Sequence, residues 1–485
     1  MEHIGGQGQM LSPQKTSKHF NLFAANALLL TLAILPQLGR AQEVPRSPEG
    51  KSDATLKLMQ PSAPDGTTPP VTITLSDAIE RARKNDTQFL AAAADAKISH
   101  EDRVQARNAL LPTVSATTQF LGTQGNGATA NGRFVTNDGV HVYRAWGVFH
   151  EDLSPQNYTL ASYHRATAIE AIGRAKAEIA SRGLTVTVTK LYYALTVSQH
   201  RYATVQQSLE QAKRFFGIAQ EAEQLGQAAH ADVIKAEIQF RQQQQAFEER
   251  RLAMENARLD LAVLLFPTLN ENFNVVDDLE SSAALPPFTE VQSMAAKENP
   301  TLRAALETAR QSDAEVFAAK AAFLPTLTLD VDYGIEANSF ALRSPIAANR
   351  ELGPLPNLGY FVTAGLNIPV WDWGTMRSKL HQSKYKQEVA HAEMIQAQRT
   401  VLSELYSAYN EASVSRASFE SSRRTADLAA ESLRLINLRY QAGESTAFEV
   451  VDALNTQVLA RNANDDAGLR YRVALATLQT LTGSF

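Results

Sequence analysis

Glu449 and Asp452 lie three residues apart in a stretch of helical periodicity, so their carboxylates share one helix face. Thr456 extends that face, while Val450, Val451, Leu454 and Val458 take the opposite one. A second acidic set, Asp330, Asp332 and Glu336, lies on "TLTLDVDYGIE" (326–336), where Leu327, Leu329, Val331, Tyr333 and Ile335 alternate with the polar residues. The chemistry open to such groups is electrostatic. Carboxylates gathered around a constriction focus a negative potential, favour cations, bind divalent ions and raise at least some of one another's pKa values. Covalent chemistry has no support: the ten histidines are scattered, and no HExxH, GxSxG, Walker A loop or dinucleotide fingerprint after a strand occurs. No catalytic residue, metal site or cofactor is assigned.

Composition narrows the classes further. Of 485 residues 44% are apolar and 20% charged, a folding composition, and the net charge of -5 argues against a nucleic-acid partner. With no cysteine there are no disulfides, no Cys-ligated metal and no lipid-modified Cys. Seven unclustered methionines and the lack of cysteine disfavour binding of soft ions such as copper or silver. Lys15 and Lys18, the apolar core 20–35, Pro36 and small residues at Gly39 and Ala41 read as an export signal over 1–41. Residues 42–70, rich in Pro, Ser and Gly, read as a leader.

Beyond the leader the chain repeats itself. Residues 76–113 lie without gaps on 289–326 at an offset of 213, bringing Leu111, Pro112 and Thr113 onto Leu324, Pro325 and Thr326. At 214, Pro155 meets Pro369; at 217, 225–236 meets 442–453. The predicted organisation is therefore two copies of one unit, 71–280 and 281–485. Each begins with a helix (75–110; 289–323) stopped at Leu-Pro-Thr. Two strands follow, then a long Pro-free stretch read as a helical hairpin turning at Gly226 and at Gly443. At 1.5 Å per residue the incoming helices, 157–225 and 374–441, span roughly 100 Å. End-to-end stacking of 230–266 on 289–323, and of 446–482 on 75–110, would match those lengths. Residues 267–288 would form an irregular belt at the joint.

Besides the acidic strand, 113–121 and 360–370 alternate cleanly, and 140–150 less so. Such dyad runs suit membrane-spanning strands of about 9–11 residues. Alternation fits a soluble antiparallel sheet equally well. A small sheet at the end of long helices, however, has no second apolar layer to bury against. Four strands cannot close a barrel, and open edges are not tolerated in hydrocarbon. Three chains pooling strands give twelve, an accepted number; two give a narrow eight. Leu327, Leu329 and Val331 would then face lipid, and Asp330, Asp332 and Glu336 a water-filled lumen. Trp371 and Trp373 suit an interfacial aromatic belt. The competing reading is a coiled-coil envelope tether, which accounts for the helices and not for the strands.

The stretches "LPTLTLDVDYG", "IPVWDWGTMRS" (368–378), "LGQAAHADV" (225–233) and "LRYQAGESTAFEVVDA" (438–453) resemble the TolC-type outer-membrane efflux family over nearly all of 71–485. The pattern carrying the resemblance is Pro369, Trp371, Asp372, Gly374 and Arg377 together with Tyr440, Gly443, Glu449 and Asp452. The resemblance implies a mainly helical fold: a homotrimer with a twelve-stranded outer-membrane barrel continued by a periplasmic α-helical tunnel. It implies the exit duct of a tripartite efflux or type I secretion system, joined to an inner-membrane pump by a periplasmic adaptor. Glu449 and Asp452 fall at the family's acidic entrance ring. Tyr440 and Asp232 match two members of its entrance lock, while Ser445 stands where the lock's Arg is expected, leaving at most a hydroxyl–carboxylate hydrogen bond. The hairpin tips, with Gly226, Gln227, Ala228, Gly443 and Glu444, are the expected adaptor-docking surface.

Overall fold

The computed structural model describes residues 70–122, 141–226, 229–267, 272–281, 285–337, 340–347, 354–442 and 444–483. The export signal, nearly all of the leader, and the tip residues Gln227, Ala228 and Gly443 lie outside the described residues.

Strand β1 (Val71–Ile73) leads into helices α1 (Leu75–Asn85) and α2 (Thr87–Asn108), then β2 (Thr113–Gly122) and β3 (His141–Leu153). A short α3 (Pro155–Tyr158) precedes the hairpin of α4 (Ala161–Gln224) and α5 (His230–Leu265). The chain continues through β4 (Phe273–Val275), α6 (Phe288–Glu298), α7 (Pro300–Ala321), β5 (Thr326–Ala337), β6 (Arg343–Ala347), β7 (Pro354–Pro356) and β8 (Leu358–Asn367). A second hairpin, α8 (Thr375–Gln441) and α9 (Ala447–Thr482), ends it. With 64 and 67 residues, α4 and α8 run about 96 and 100 Å.

The helices expected over 75–110 and 289–323 are each broken in two. Asp86 and Asn299, at the repeat offset of 213, share one extended backbone conformation (φ -71°, ψ 118°) and cap the helix that follows. The Asp86 carboxylate accepts from Phe89 N at 2.6 Å; the Asn299 side-chain oxygen accepts from Thr301 N at 2.9 Å and Leu302 N at 3.1 Å. A side-chain acceptor that satisfies first-turn amides stabilises a new helix start, and Pro300 at the first position adds to it.

The end-to-end pairing also differs from expectation. The Asn85 amide donates to the Leu265 carbonyl at 2.6 Å, so α5 abuts the α1–α2 break of its own half, and Ala78, Ala82, Leu261 and Leu265 share one core. The Asn299 amide donates to the Leu481 carbonyl at 3.1 Å, and Val291, Ala295, Ala474 and Leu478 pack together, so α9 abuts α6–α7. All four short segments have similar lengths, and length alone could not separate the two pairings.

The joint contains structure that the sequence did not announce. β1 and β4 form a parallel pair, and the buried Tyr192 hydroxyl donates to the Val276 carbonyl at 2.7 Å with the Ile73 carbonyl 3.1 Å away. A buried hydroxyl without such partners would carry a desolvation cost.

Strands β2, β3, β5 and β8 form one antiparallel sheet in that order. Its register places Val114, Ala116, Phe120, Phe149, Leu327, Leu329, Val331, Val362 and Leu366 on one face, as the dyad pattern required. β3 alternates poorly because Trp146 and Val148 stand on the polar face while Gly147 and Glu151 stand on the apolar one. β8 stops at Asn367, short of the expected 370, because Pro369 has no N–H to donate. The small β6–β7 pair is separate from this sheet.

The sheet enters both long helices through left-handed residues, Leu160 (φ 58°) and, 214 positions later, Gly374 (φ 85°). In "VWDWG" the Asp372 carboxylate accepts from Gly374 N at 2.9 Å and Met376 N at 2.5 Å, which holds Trp373 at φ 55°. The rings of Trp371 and Trp373 meet edge-on at 5.7 Å and are 76% and 88% exposed.

Candidate functional site

At the helix ends away from the sheet, the α4–α5 tip turns on Gly226 (φ 73°), a conformation that costs glycine no Cβ clash. His230 Nδ1 meets Glu223 Oε1 at 2.7 Å across this tip. Asp232 stands half-buried in the first turn of α5, where the helix dipole favours an anion.

The second tip is organised by capping. Thr446 caps α9 and accepts from Glu449 N at 3.4 Å. The Ser445 hydroxyl donates to Glu449 Oε2 at 2.5 Å and holds that carboxyl below its ordinary range, with Arg439 and Thr446 adding to the effect. Within one chain the charged form of the Glu449 carboxyl is thus favoured by its own tip. Asp452 and Thr456 are exposed on the same face of α9; Val450 and Leu454 are buried opposite. Arg439 donates to the Glu444 carbonyl at 3.2 Å and ties the exposed Glu444 to α8.

Tyr440 packs with Phe215 at 5.4 Å in the core between the two hairpins. Burial raises its pKa, and the charge of Asp232 raises it further. The two are electrostatic neighbours, but among the described residues no hydrogen bond joins them, and Ser445 serves Glu449 instead.

On the sheet's polar face the register gathers Asp330, Asp332 and Glu336 as expected, with cations beside them. Arg144 donates to Glu336 from Nε at 2.9 Å and from Nη2 at 2.8 Å, and to Gln119 at 3.1 Å. His150 Nδ1 lies 2.6 Å from Asp330. Asp332 has neither a hydrogen-bond nor an ion-pair partner among the described residues. The face is less acidic than β5 alone suggests, because the cations come from β3, about 190 residues away in sequence.

The model of the family described as "Outer membrane efflux protein" matches residues 291–484. Outer membrane protein OprJ of Pseudomonas aeruginosa is 25% identical over 314 residues, covering 62% of this chain and 61% of that one. The matched stretch is thus about three fifths of the relative's length. Among solved structures, the CmeC outer membrane channel of Campylobacter jejuni superposes with a TM-score of 0.69 at 16% identity, covering 84% of this chain and 85% of that one. The Neisseria gonorrhoeae MtrE outer membrane channel in its open state gives a TM-score of 0.69 at 20% identity, over 84% and 89%. The second half of this chain thus resembles the outer membrane efflux family, and the chain shares the fold of those solved channels. The superpositions extend the shared fold to both halves of the chain.

Two charged sites of this chain escaped the sequence reading. The His200 imidazole lies between belt residue Asp277 (2.7 Å) and Asp465 of α9 (3.2 Å), which together push its pKa up to about 9, Asp465 first. Arg201 pairs with Asp466 beside it. Glu170, 4% exposed, receives Arg103, Arg174 and, at 2.8 Å, His100, joining α2 to α4 near the sheet. Apart from Arg174, these partners lie 67 to 265 residues apart in sequence and leave no local pattern.

Proposed function

We propose that this chain is the outer-membrane exit duct of a tripartite efflux or type I secretion system. It passively conducts substrates outward from a periplasmic adaptor and inner-membrane pump. It is not an enzyme. Three copies pool their sheets into a twelve-stranded barrel in outer-membrane lipid, and their helical hairpins continue it as a periplasmic tunnel. One observation carries this reading: a four-stranded sheet, apolar on one face, whose outer strands β2 and β8 each have one neighbour among the described residues. In hydrocarbon those free edges require partners, which further copies supply. The edges also count against a tether, which has no use for a membrane sheet.

The two-repeat plan is supported by α5 and α9, each of 36 residues and 217 apart, and by the paired breaks and left-handed entries. Asp330, Asp332 and Glu336 line the lumen. Glu449 and Asp452 contribute six carboxylates to the periplasmic entrance, where they favour cations and bind divalent ions. With Ser445 turned to Glu449, Tyr440 and Asp232 form no lock, and the resting entrance is loosely held. Gly226, Gln227, Ala228, Gly443 and Glu444 are adaptor-docking positions. Purified protein in liposomes is expected to admit small sugars and swell them. Liposomes that stay tight would leave the tether reading standing.

A further inference from the structure

The polar face of the sheet can be read row by row across its strands. At one level stand Gln119, Arg144 and Glu336; three levels further, Thr113, His150, Asp330 and Thr363. In each of these rows the acid meets a basic side chain, Arg144 or His150. Between them lie two rows of different character: Thr117, Trp146, Gly334 and Gly359, then Ser115, Val148, Asp332 and Phe361. Asp332 is thus an unpaired carboxylate flanked directly by Val148 and Phe361, with Trp146 diagonal to it. Side chains directly opposite in a ladder sit about 5 Å apart between Cβ atoms, within reach of one ligand.

The floor beside this acid is bare. Gly334 is required by close approach, since a Cβ there would meet the Ala145 carbonyl at 2.0 Å and Trp146 Cδ1 at 2.7 Å. Gly359 is different, because a Cβ would meet nothing within 4 Å. The face is therefore open at Gly359, with Phe361 and Trp146 standing around it. The Trp146 ring already carries the Arg144 guanidinium, 5.4 Å from its centroid, and that charge is neutralised by Glu336. Phe361, 61% exposed, is the ring left for a ligand.

We infer that Asp332, Phe361, Trp146 and the open floor at Gly359 form a cradle for amphiphilic organic cations. A positive centre seats against the carboxylate while aromatic or aliphatic substituents cover the Phe361 ring. Simple hydrated cations meet the charge alone and gain nothing from the ring. The inference rests on the lumen reading of this face and assigns that lumen a contact for one class of cargo. Repeated in each copy, the cradle makes a ring of weak sites along the path, each shallow enough for release.

The test is single-channel recording in planar bilayers. The probe is tetraphenylphosphonium, with tetramethylammonium as a cation of equal charge without rings. Tetraphenylphosphonium is expected to interrupt the current at concentrations well below any at which tetramethylammonium does, since the smaller cation can meet one ring face but covers far less of it. Asp332→Asn and Phe361→Thr should each raise the half-blocking concentration by about tenfold. Gly359→Val, which fills the floor without touching the charge, should likewise weaken block. Pores whose block is unmoved by all three variants would overturn the cradle. A protein that forms no pores would instead overturn the duct, so the two failures are distinct.

Discussion

The Ser445 hydroxyl donates to the Glu449 carboxylate at 2.5 Å, one turn along the start of α9. Because that bond favours the ionised form, it lowers the Glu449 pKa. A depressed carboxyl contributes stability above its unfolded value of 4.5, and the contribution is lost as pH falls through the lower folded value. Ser445→Ala should move the Glu449 titration upward, and Ser445→Thr should restore it. Carboxyl-labelled NMR titration reads both; an unmoved midpoint in Ser445→Ala would show that the hydroxyl does not set the charge.

His200 provides a pH dependence of opposite sign. Its folded pKa of about 9 lies above the ordinary 6.5, so the clamp on Asp465 and Asp277 is fully present below 6.5 and fades as pH rises through about 9. The side chain is 31% exposed, and solvent screening limits the effect to on the order of 1–2 kcal/mol. Thermal melts of the wild type should fall between pH 7 and 10, and those of His200→Gln should fall less. Parallel curves for the two would remove the clamp from the account.

The paired left-handed residues at the sheet-to-helix joints test the strain argument. Leu160 adopts φ 58°, which costs a residue with a Cβ about 1–2 kcal/mol relative to the right-handed region. Leu160→Gly is expected to raise the melting temperature, offset in part by glycine's greater freedom in the unfolded chain. Gly374→Ala should lower it by a similar amount, since φ there is 85°. Denaturant unfolding of both variants decides, and a loss on Leu160→Gly would mean that the side chain's contacts outweigh the strain.

What the sequence disclosed were features written in local periodicity or punctuation. The dyad of Leu327, Leu329 and Val331 gave the sheet faces, and the long Pro-free runs gave the helical hairpins. Gly226 marked a turn because few other residues accept φ 73°. Hidden features depended on partners far along the chain. Asn299 stands before Pro300, a local break signal that went unread, whereas Asp86 looks like an ordinary polar residue of a helix until the end of α5 comes against its neighbour Asn85. Arg144 and His150 gave no sign in sequence that they would neutralise Glu336 and Asp330. The Ser445 bond to Glu449 was local, and the S-T-x-x-E capping pattern at 445–449 was its readable signal.

The central claim is that one chain owns too few membrane strands to close a barrel and shares them with identical copies. Native mass spectrometry of the full chain, extracted from outer membranes in mild detergent, measures this directly. The account expects a complex of three chains that withstands dilution. A single chain, stable and folded in the same detergent, would contradict it.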